Sequence, residues 1–339
     1  MPSTHKHHFL LAAEARTISL PMIQKWSDDE VRSFFEMMRW ADTLGTPYCP
    51  HCSSNELYTI RTRNQWRCKK CNKTFSVTSG TWLHSTKLPL RTILMAIVIS
   101  ANAVKGIAAL QLSRDLGVQY KTAYILNQKI RDSIYKNLNP ISLKGEVEID
   151  GMRIKPSKSV LFNKKANRRK KNEVTVLTLK QREGHNLAER FITRVVPSEN
   201  KDDIRNFVEE NVAKDTTIFS DCGAGYTTLH ASYDLRTVNH SKEFSGPNGE
   251  NINGIESNFS RYRRFLTGQI HHQHDKYLHL YAQEIAFREE NRRRSNGDLV
   301  EMLLIHLLSL AEDPEFRGYW GARRRVTTAR FSDSFSSAA

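Results

Sequence analysis

The sequence lacks any hydrophobic run long enough to cross a bilayer. Its longest apolar stretch, residues 93–104, is interrupted by Ser100 and Asn102 and falls short of the roughly 20 residues that a spanning helix needs. The N-terminus carries only a short apolar patch at residues 9–13, without the layout of a signal peptide. We therefore expect a cytoplasmic protein that has no membrane partner.

Cysteine is also scarce, with 5 residues in a chain of 339. Four of the five stand in two tight pairs. In a reducing compartment, such pairs indicate a metal site rather than disulfides.

Acidic residues are in deficit, with 36 Asp and Glu against 51 Lys and Arg, and the formal charge is +15. A positive surplus favours nucleic acid as the partner, because neutralised phosphates release condensed counterions. A basic tail alone would also raise the charge. Here the cations recur at residues 61–73, 155–171, 261–264 and 292–294, which favours an extended binding track.

The N-terminal third predicts a helix followed by a zinc ribbon. Ser27 and Glu30 are placed for a capping box before an apolar helical pattern, and Gly45 ends that pattern. Next come two C-x-x-C knuckles separated by fifteen residues, a spacing typical of a four-thiolate Zn²⁺ site. A redox pair or buried thiols would not explain two matched pairs. The predicted ligands are Cys49, Cys52, Cys68 and Cys71.

This zinc would be structural, because four protein ligands leave no open position for a substrate. Cationic residues surround the knuckles, among them Arg67, Lys69 and Lys70. They are either a solvated face or, as we expect for a cluster on a small ribbon, a phosphate-binding surface.

The next segment predicts a helix-turn-helix. A buried helix over residues 90–103 precedes a short helix that ends near Gly117, and a second helix follows to about Tyr135. A plain helical hairpin would give the same pattern. In a basic chain with a zinc ribbon we favour DNA binding. The residues expected to face the major groove are Gln119, Tyr120, Lys121 and Thr122.

The region from residue 146 predicts a sheet with acidic side chains. The alternation over residues 146–151 places Glu146, Glu148 and Asp150 on one face of a strand. Three carboxylates on a buried face need a cation, although a solvated acidic edge strand remains the alternative. Two more strands, near 173–180 and 187–195, and a helix from Pro197 to about 212 follow.

Two further acids complete the pattern. Asp221 ends a β-rich segment beside Gly223, and 34 residues separate it from Glu256, which lies in a predicted helix. On that helix Asn253, Glu256, Ser260 and Arg263 share one face. Acids on the first strand, the fourth strand and the final helix form an RNase H-like α/β arrangement. Carboxylates of this kind suit two hard Mg²⁺ or Mn²⁺ ions in phosphodiester chemistry.

Taken in order, these motifs resemble the DDE transposases of bacterial insertion sequences, in the zinc-ribbon group known as family 1595. The resemblance covers about residues 30 to 294. It rests on the two knuckles, Phe75–Thr81, Gln111–Arg114 with Leu116–Val118, Glu148–Asp150, Ser220–Asp221, Asn253–Glu256, and Phe287–Arg288 with Asn291–Arg293.

The resemblance implies that Asp150, Asp221 and Glu256 are the catalytic ligands. Where the family often carries Lys, seven positions after the Glu, this chain has Arg263, which keeps the charge. Some relatives use Asn as the third residue, so Asn253 is a rival to Glu256. The aromatic pair that usually follows the Glu is replaced by Asn258–Phe259.

We therefore expect an α+β multidomain chain: a helical segment (1–46), a zinc ribbon (47–80), a helix-turn-helix region (81–140), an RNase H-like domain (141–296) and a C-terminal helix with a basic, Ser-rich tail (297–339).

The expected function is a nucleoid-associated transposase that binds the element's terminal repeats, cuts and transfers strands in double-stranded DNA, and works as a homo-oligomer. The alternatives are a DNA-binding relative that has lost catalysis and an RNase H-like nuclease of another pathway. Further DNA contacts are expected at Arg168, Arg169, Lys170, Lys171, Arg261 and Arg264.

Overall fold

The N-terminal helices begin where the local sequence supplies a cap. In the computed structural model, which describes residues 9–138, 142–156, 173–184, 189–238 and 251–311, helix α1 spans Leu20–Lys25 and helix α2 spans Asp28–Arg39. The Ser27 hydroxyl accepts from the Glu30 N–H, and the Glu30 carboxylate accepts from the Ser27 N–H. The predicted capping box is confirmed.

The ribbon is a small antiparallel sheet. Strands β1 (Leu57–Ile60) and β2 (Gln65–Cys68) form the predicted hairpin, and the short β3 (Thr74–Phe75) adds to β2. Trp40, at the end of α2, meets the Trp66 ring edge-on with centroids 5.4 Å apart. Aromatic packing of this kind fixes the ribbon to α2.

Three helices follow the ribbon: α3 (Leu90–Asn102), α4 (Ala109–Leu116) and α5 (Tyr120–Lys136). Gly117 ends α4 with φ at 65°, a left-handed conformation that glycine adopts without a Cβ penalty. Leu112 and Ala123 are buried between α4 and α5. The helix pair thus has the predicted boundaries to within a few residues.

A five-stranded mixed sheet forms the second half. Its strands are β4 (Glu146–Ile154), β5 (Val174–Gln181), β6 (Arg190–Val196), β7 (Thr217–Asp221) and β8 (Asp234–Val238). The order is β6-β5-β4-β7-β8, with β4, β5 and β6 antiparallel and with β7 and β8 parallel to β4. The mixed sheet flanked by helices agrees with the predicted fold class. Strand β8 is an addition to the predicted elements.

Helices cover both faces of this sheet. Helix α6 (Lys201–Asn211) packs on the face that carries Val147 and Ile149. Helices α7 (Asn253–Gly268) and α8 (Leu278–Glu290) lie on the other face, and α9 (Asn296–Ser309) packs back on α2, α3 and α5. Because side chains alternate along β4, its acids face α7 rather than α6.

The prediction that a helix begins at Pro197 is wrong by four residues. Helix α6 begins at Lys201, and Asn200 is its N-cap, with its side-chain oxygen accepting from the Asp203 N–H at 2.8 Å. Pro197–Glu199 therefore forms a loop. Glu199, the acid of this loop, therefore lies outside the helix and near the end of β7.

Buried polar contacts join the N-terminal helices to the sheet's helices. Arg131 of α5 and Glu284 of α8 form an ion pair at 2.6 Å with both side chains buried. Arg288 of α8 donates to the Ala103 carbonyl at 2.7 Å. Removing one partner of a buried pair leaves an uncompensated charge, so these contacts hold α5 and α8 in one arrangement.

Parts of two predictions lie outside the described residues. These are most of the basic segment 155–171, including Arg168, Arg169, Lys170 and Lys171, and the Ser-rich tail from residue 322. Within the described ranges, no helix is both long enough and apolar enough to cross a membrane.

We predict that Gly106→Ala destabilises the protein more than Gly117→Ala. Both glycines have φ near 65°, so each alanine costs about 1 kcal/mol of conformational strain. A Cβ at Gly106 would also lie 2.5 Å from the Phe265 ring, whereas at Gly117 nothing lies within 4 Å. Overpacking adds about 1–3 kcal/mol. The free energy of unfolding in denaturant titrations measures both. Equal losses would contradict the packing of residue 106 against α7.

Candidate active site and zinc centre

The two cysteine pairs converge as predicted. The four Sγ atoms of Cys49, Cys52, Cys68 and Cys71 lie within 4.8 Å of one another. The Cys49–Cys71 and Cys52–Cys68 sulfur distances are 3.6 and 3.5 Å. A disulfide requires about 2.05 Å, whereas sulfurs 2.3 Å from a tetrahedral Zn²⁺ stand about 3.8 Å apart. The cluster therefore fits a four-thiolate zinc ion.

Both knuckles have the same backbone geometry. The N–H of the residue after each pair donates to the carbonyl of the pair's first cysteine, from Ser53 to Cys49 at 2.8 Å and from Asn72 to Cys68 at 3.0 Å. Ser53 and Asn72 have φ near 58°. This turn directs both sulfurs of a pair to the same point.

The ligand chemistry also fits zinc. The Cys71 N–H approaches Cys68 Sγ at 3.5 Å, and this donor lowers the pKa of the Cys68 thiol to about 6. The thiolate is the form that binds metal. The zinc ribbon and the cysteine cluster together support a structural Zn²⁺.

Asp150 and Asp221 occupy equivalent positions on neighbouring parallel strands. The last paired residues of β4 and β7 are Glu148 and Phe219, and each Asp lies two residues beyond. Since side chains at the same register point to the same face, the two carboxylates stand side by side. Backbone N–H groups orient them: Gly151 donates to Asp150 Oδ1 at 2.7 Å, and Gly223 to Asp221 Oδ1 at 2.9 Å.

Helix α7 brings the third candidate acid to the same place. Glu256 lies in its first turn and is exposed, as is Asn253 at its first position. Arg263 lies exposed two turns further along the helix. Of the two rivals, Glu256 is the one whose charge acts on Asp150.

The pKa of Asp150 reflects both its burial and the acids around it. Burial raises the pKa of Asp150 to about 7, and the Gly151 N–H opposes the rise. The negative charges of Asp221, Glu199 and Glu256 raise this pKa further. Because burial and nearby anions favour the protonated form of Asp150, a bound cation would relieve the repulsion between these carboxylates.

The oxygen donors suit a hard divalent cation such as Mg²⁺. Within the described residues, however, the cysteines alone bring three or more ligand atoms within 4.8 Å of one another.

Two of the three acids that the pattern placed together on β4 pair with an arginine. Arg182, just after β5, donates to Glu146 and Glu148, with both N–O distances 2.9 Å. The alternation correctly indicated a cation for this face. For Glu146 and Glu148 that cation is an arginine from the next strand.

Sequence reasoning missed Glu199 and Tyr226. The Tyr226 hydroxyl donates to Glu199 Oε1, and a Cβ on Gly151 would lie 2.8 Å from the same oxygen. Glu199 thus approaches β4 beside Asp150, opposite α7. Burial raises the pKa of Tyr226, so it remains a donor. No local pattern marks Glu199, because its neighbours resemble an ordinary helix start.

Most of the expected DNA contacts within the described residues are exposed. Gln119, Tyr120 and Lys121 are exposed at the start of α5, and Thr122 is half-buried. On the ribbon, Arg67, Lys69 and Lys70 are exposed, and the Lys69 ammonium lies 4.9 Å from the Tyr58 ring centre.

A basic cleft of about 630 Å³ borders α7. Seven Lys or Arg residues and two Glu line it, and so does Ser257, the residue after Glu256. Arg261 pairs with Glu289, whereas the Arg264 guanidinium donates to the backbone and side-chain oxygens of Ser260. The residues that line the cleft therefore carry a positive surplus.

Cys222, the residue after Asp221, has an exposed side chain. The chain turns outward after β7, since Asp221 is the last strand residue.

Comparison with known proteins gives two family matches. The model described as the ISXO2-like transposase domain matches residues 142–290, and the transposase zinc-ribbon domain matches residues 26–74. Together they cover more than half of the chain. The chain is also 26% identical over 132 residues to an "uncharacterized protein in transposable element ISH50" of Halobacterium salinarum. This alignment covers 38% of the chain and 42% of the relative, so the chain matches less than half of that protein's length.

We predict one Zn²⁺ per chain by elemental analysis. Cys49→Ser and Cys68→Ser should lose the zinc and unfold the ribbon, because each removes a buried thiolate ligand. Cys222→Ser is the matched control, since Cys222 is the one cysteine outside the cluster, and should retain the metal. Metal-free protein with an intact ribbon would contradict this assignment.

We predict a pH-dependent stability that Asp150 controls. Its folded pKa of about 7 lies above the ordinary 3.8, so the folded protein loses stability as pH rises from about 4 to 7. Asp150→Asn cannot ionise. Without added Mg²⁺ or Mn²⁺ and with the ribbon zinc retained, its melting temperature, relative to the wild type, should rise over this range and then level off. The exposed Asp215 supplies the control: Asp215→Asn should show no such trend. A constant difference for Asp150→Asn would refute the raised pKa of Asp150.

Proposed function

Because the chain belongs to the ISXO2-like transposases, the family that its motifs predict, we propose that it is an active DNA transposase. It would bind the terminal repeats of its element, cut there, and join the freed 3′-hydroxyl to target DNA. The observation that carries this proposal is the meeting of Asp150, Asp221 and Glu256 at the end of β7.

The acids would hold two Mg²⁺ or Mn²⁺ ions, which when bound activate the attacking oxygen and stabilise the leaving oxygen in phosphodiester transfer. Asp150 and Asp221 would be ligands from the rigid sheet. Glu256 would be the ligand from α7, and we prefer it to Asn253 because a carboxylate binds hard cations better than an amide. Arg263, on the same helix, would contact a phosphate of the strand being cut.

DNA binding would be divided among three surfaces. The exposed residues that begin α5 would read base edges in the major groove. The ribbon cations would contact the phosphates, which position the protein without specifying sequence. The cleft beside α7, with Arg261 and Arg264 on its wall, would take a strand past the carboxylates. Arg168–Lys171 would add further phosphate contacts.

We retain the predicted five-part division of the chain, with boundaries near residues 46, 80, 140 and 296. A transposase must hold two element ends for one joining reaction, so we propose a homo-oligomer on DNA. Its place of action would be the nucleoid in the cytoplasm.

We predict that Asp150→Asn, Asp221→Asn and Glu256→Gln each reduce cleavage of element-end DNA by at least about a thousandfold. End binding should persist, because the proposed binding residues lie mainly before residue 140. Asn253→Ala should be milder. The control is Glu209→Gln, an exposed acid on α6, which should cleave normally. Single-turnover cleavage and gel-shift assays measure the two activities.

Two results would correct the residue roles. An inactive Asn253→Ala with an active Glu256→Gln would make Asn253 the third residue. Cleavage that persists in both Asp variants would overturn the two-metal proposal. Arg263→Lys, which restores the family's residue, should keep more activity than Arg263→Ala.

A further inference from the structure

Helix α7 begins without a side-chain cap from its own N-cap residue. Its N-cap, Ile252, offers no side-chain acceptor. Instead Glu148 of β4 accepts the Ile255 N–H through Oε2 at 2.9 Å. The first N–H groups of a helix have no intrahelical partner, and a carboxylate there also interacts favourably with the helix dipole. Ile255 directly precedes Glu256, so this bond fixes the backbone that carries the third acid.

Arg182 holds Glu148 in that position. Its Nε donates to the other carboxylate oxygen, Glu148 Oε1, at 2.9 Å. Its Nη2 donates to the backbone and side-chain oxygens of Asn251, just before α7. The Asn251 side-chain oxygen also accepts from the Asn253 N–H at 3.3 Å. One guanidinium therefore binds both the capping carboxylate and the chain that enters the helix.

The same arginine contacts the strand of the second acid. Its guanidinium carbon lies 4.0 Å from the ring centre of Phe219 on β7. Phe219 precedes Asp221 by two residues and points to the same face. Glu148 stands in the same relation to Asp150 on β4. Arg182 thus lies between the three elements that carry the proposed metal ligands.

We propose that Glu148 and Arg182 are positioning residues that hold Glu256 at its working distance from Asp150 and Asp221. The inference rests on the proposed function for its catalytic consequence, whereas the contact itself can be tested without catalysis. Glu148 touches neither metal nor DNA in this assignment, because both of its oxygens are engaged by Arg182 and by α7. Its carboxylate, only 2% exposed, joins β4 to α7.

The chain offers a matched control. Arg194 of β6 pairs with Glu210 of α6, and its guanidinium carbon lies 4.7 Å from the Phe207 ring centre. Its side chain is 20% exposed and that of Arg182 is 19% exposed. Both arginines combine a glutamate partner with a phenylalanine ring, but Arg194 faces α6 and not α7. Lysine at either position keeps the charge and loses the planar fork.

The first experiment is hydrogen exchange on protein that retains the ribbon zinc, without added Mg²⁺ or Mn²⁺. In Arg182→Lys and in Glu148→Gln, the amides at the start of α7, Ile255 above all, should exchange at least about tenfold faster than in the wild type. Arg194→Lys should leave them unchanged. Glu148→Gln preserves the side-chain shape. It therefore tests the same contact if Arg182→Lys folds poorly. Faster exchange spread evenly over the whole sheet, or none at α7, would overturn the proposal.

The second experiment separates positioning from stability. Single-turnover cleavage of end DNA is measured against Mg²⁺ concentration at a temperature where all variants are folded. Arg182→Lys and Glu148→Gln should raise the half-saturating Mg²⁺ concentration about tenfold or more, as is typical when a ligand's support is lost. Arg194→Lys should stay within about twofold of the wild type.

The outcomes distinguish this proposal from the one on which it rests. A wild-type protein that cuts no DNA would refute the proposed function. The exchange result would still show whether Glu148 and Arg182 hold the start of α7. A wild-type protein that cuts, with Arg182→Lys indistinguishable from Arg194→Lys, would refute the positioning role alone.

Discussion

Mutual repulsion among carboxylates is the constraint on which the second half of this protein depends. Six acids lie on or beside β4 and β7, and they fall into two groups. Glu146 and Glu148 are neutralised from within by Arg182. The charges that act on Asp150 are negative, and they come from Asp221, Glu199 and Glu256. Like charges so placed favour either a bound proton or a bound cation, and the second is what phosphodiester chemistry requires.

Helix α7 connects this constraint to the rest of the chain, because it is held at both ends. Its first turn is capped by Glu148 of the sheet. Near its other end, Gln269 accepts the Ala108 N–H at 3.0 Å, and the Phe265 ring lies against Gly106. The segment before α4 therefore rests on the helix that carries the third acid. If α4 and α5 bind DNA as proposed, the same packing sets the distance from bound DNA to the carboxylates.

Much of this arrangement could be predicted from local sequence, for identifiable physical reasons. The C-x-x-C spacing determines which sulfurs can reach one ion, and the structure brings those four together. The Ser27–Glu30 capping box involves only neighbouring residues. Alternation along residues 146–151 indicated which side chains share a face.

The same alternation could not identify Arg182 as the partner of Glu148. The two residues lie 34 positions apart in the sequence, and only the β4–β5 pairing brings them together. Glu199 was missed for the same reason: its place beside Asp150 depends on how α6 packs under the sheet. Strand β8 was missed too, since five residues with a mixed pattern carry little signal.

The proposal that these acids form one two-metal site can be tested by electron paramagnetic resonance of bound Mn²⁺. With zinc retained in the ribbon and end DNA present, the wild type should bind two Mn²⁺ ions that are magnetically coupled, as expected for ions about 4 Å apart. Asp150→Asn and Asp221→Asn should each abolish the coupled signal. Its absence from the wild type, or its persistence in both variants, would contradict the claim.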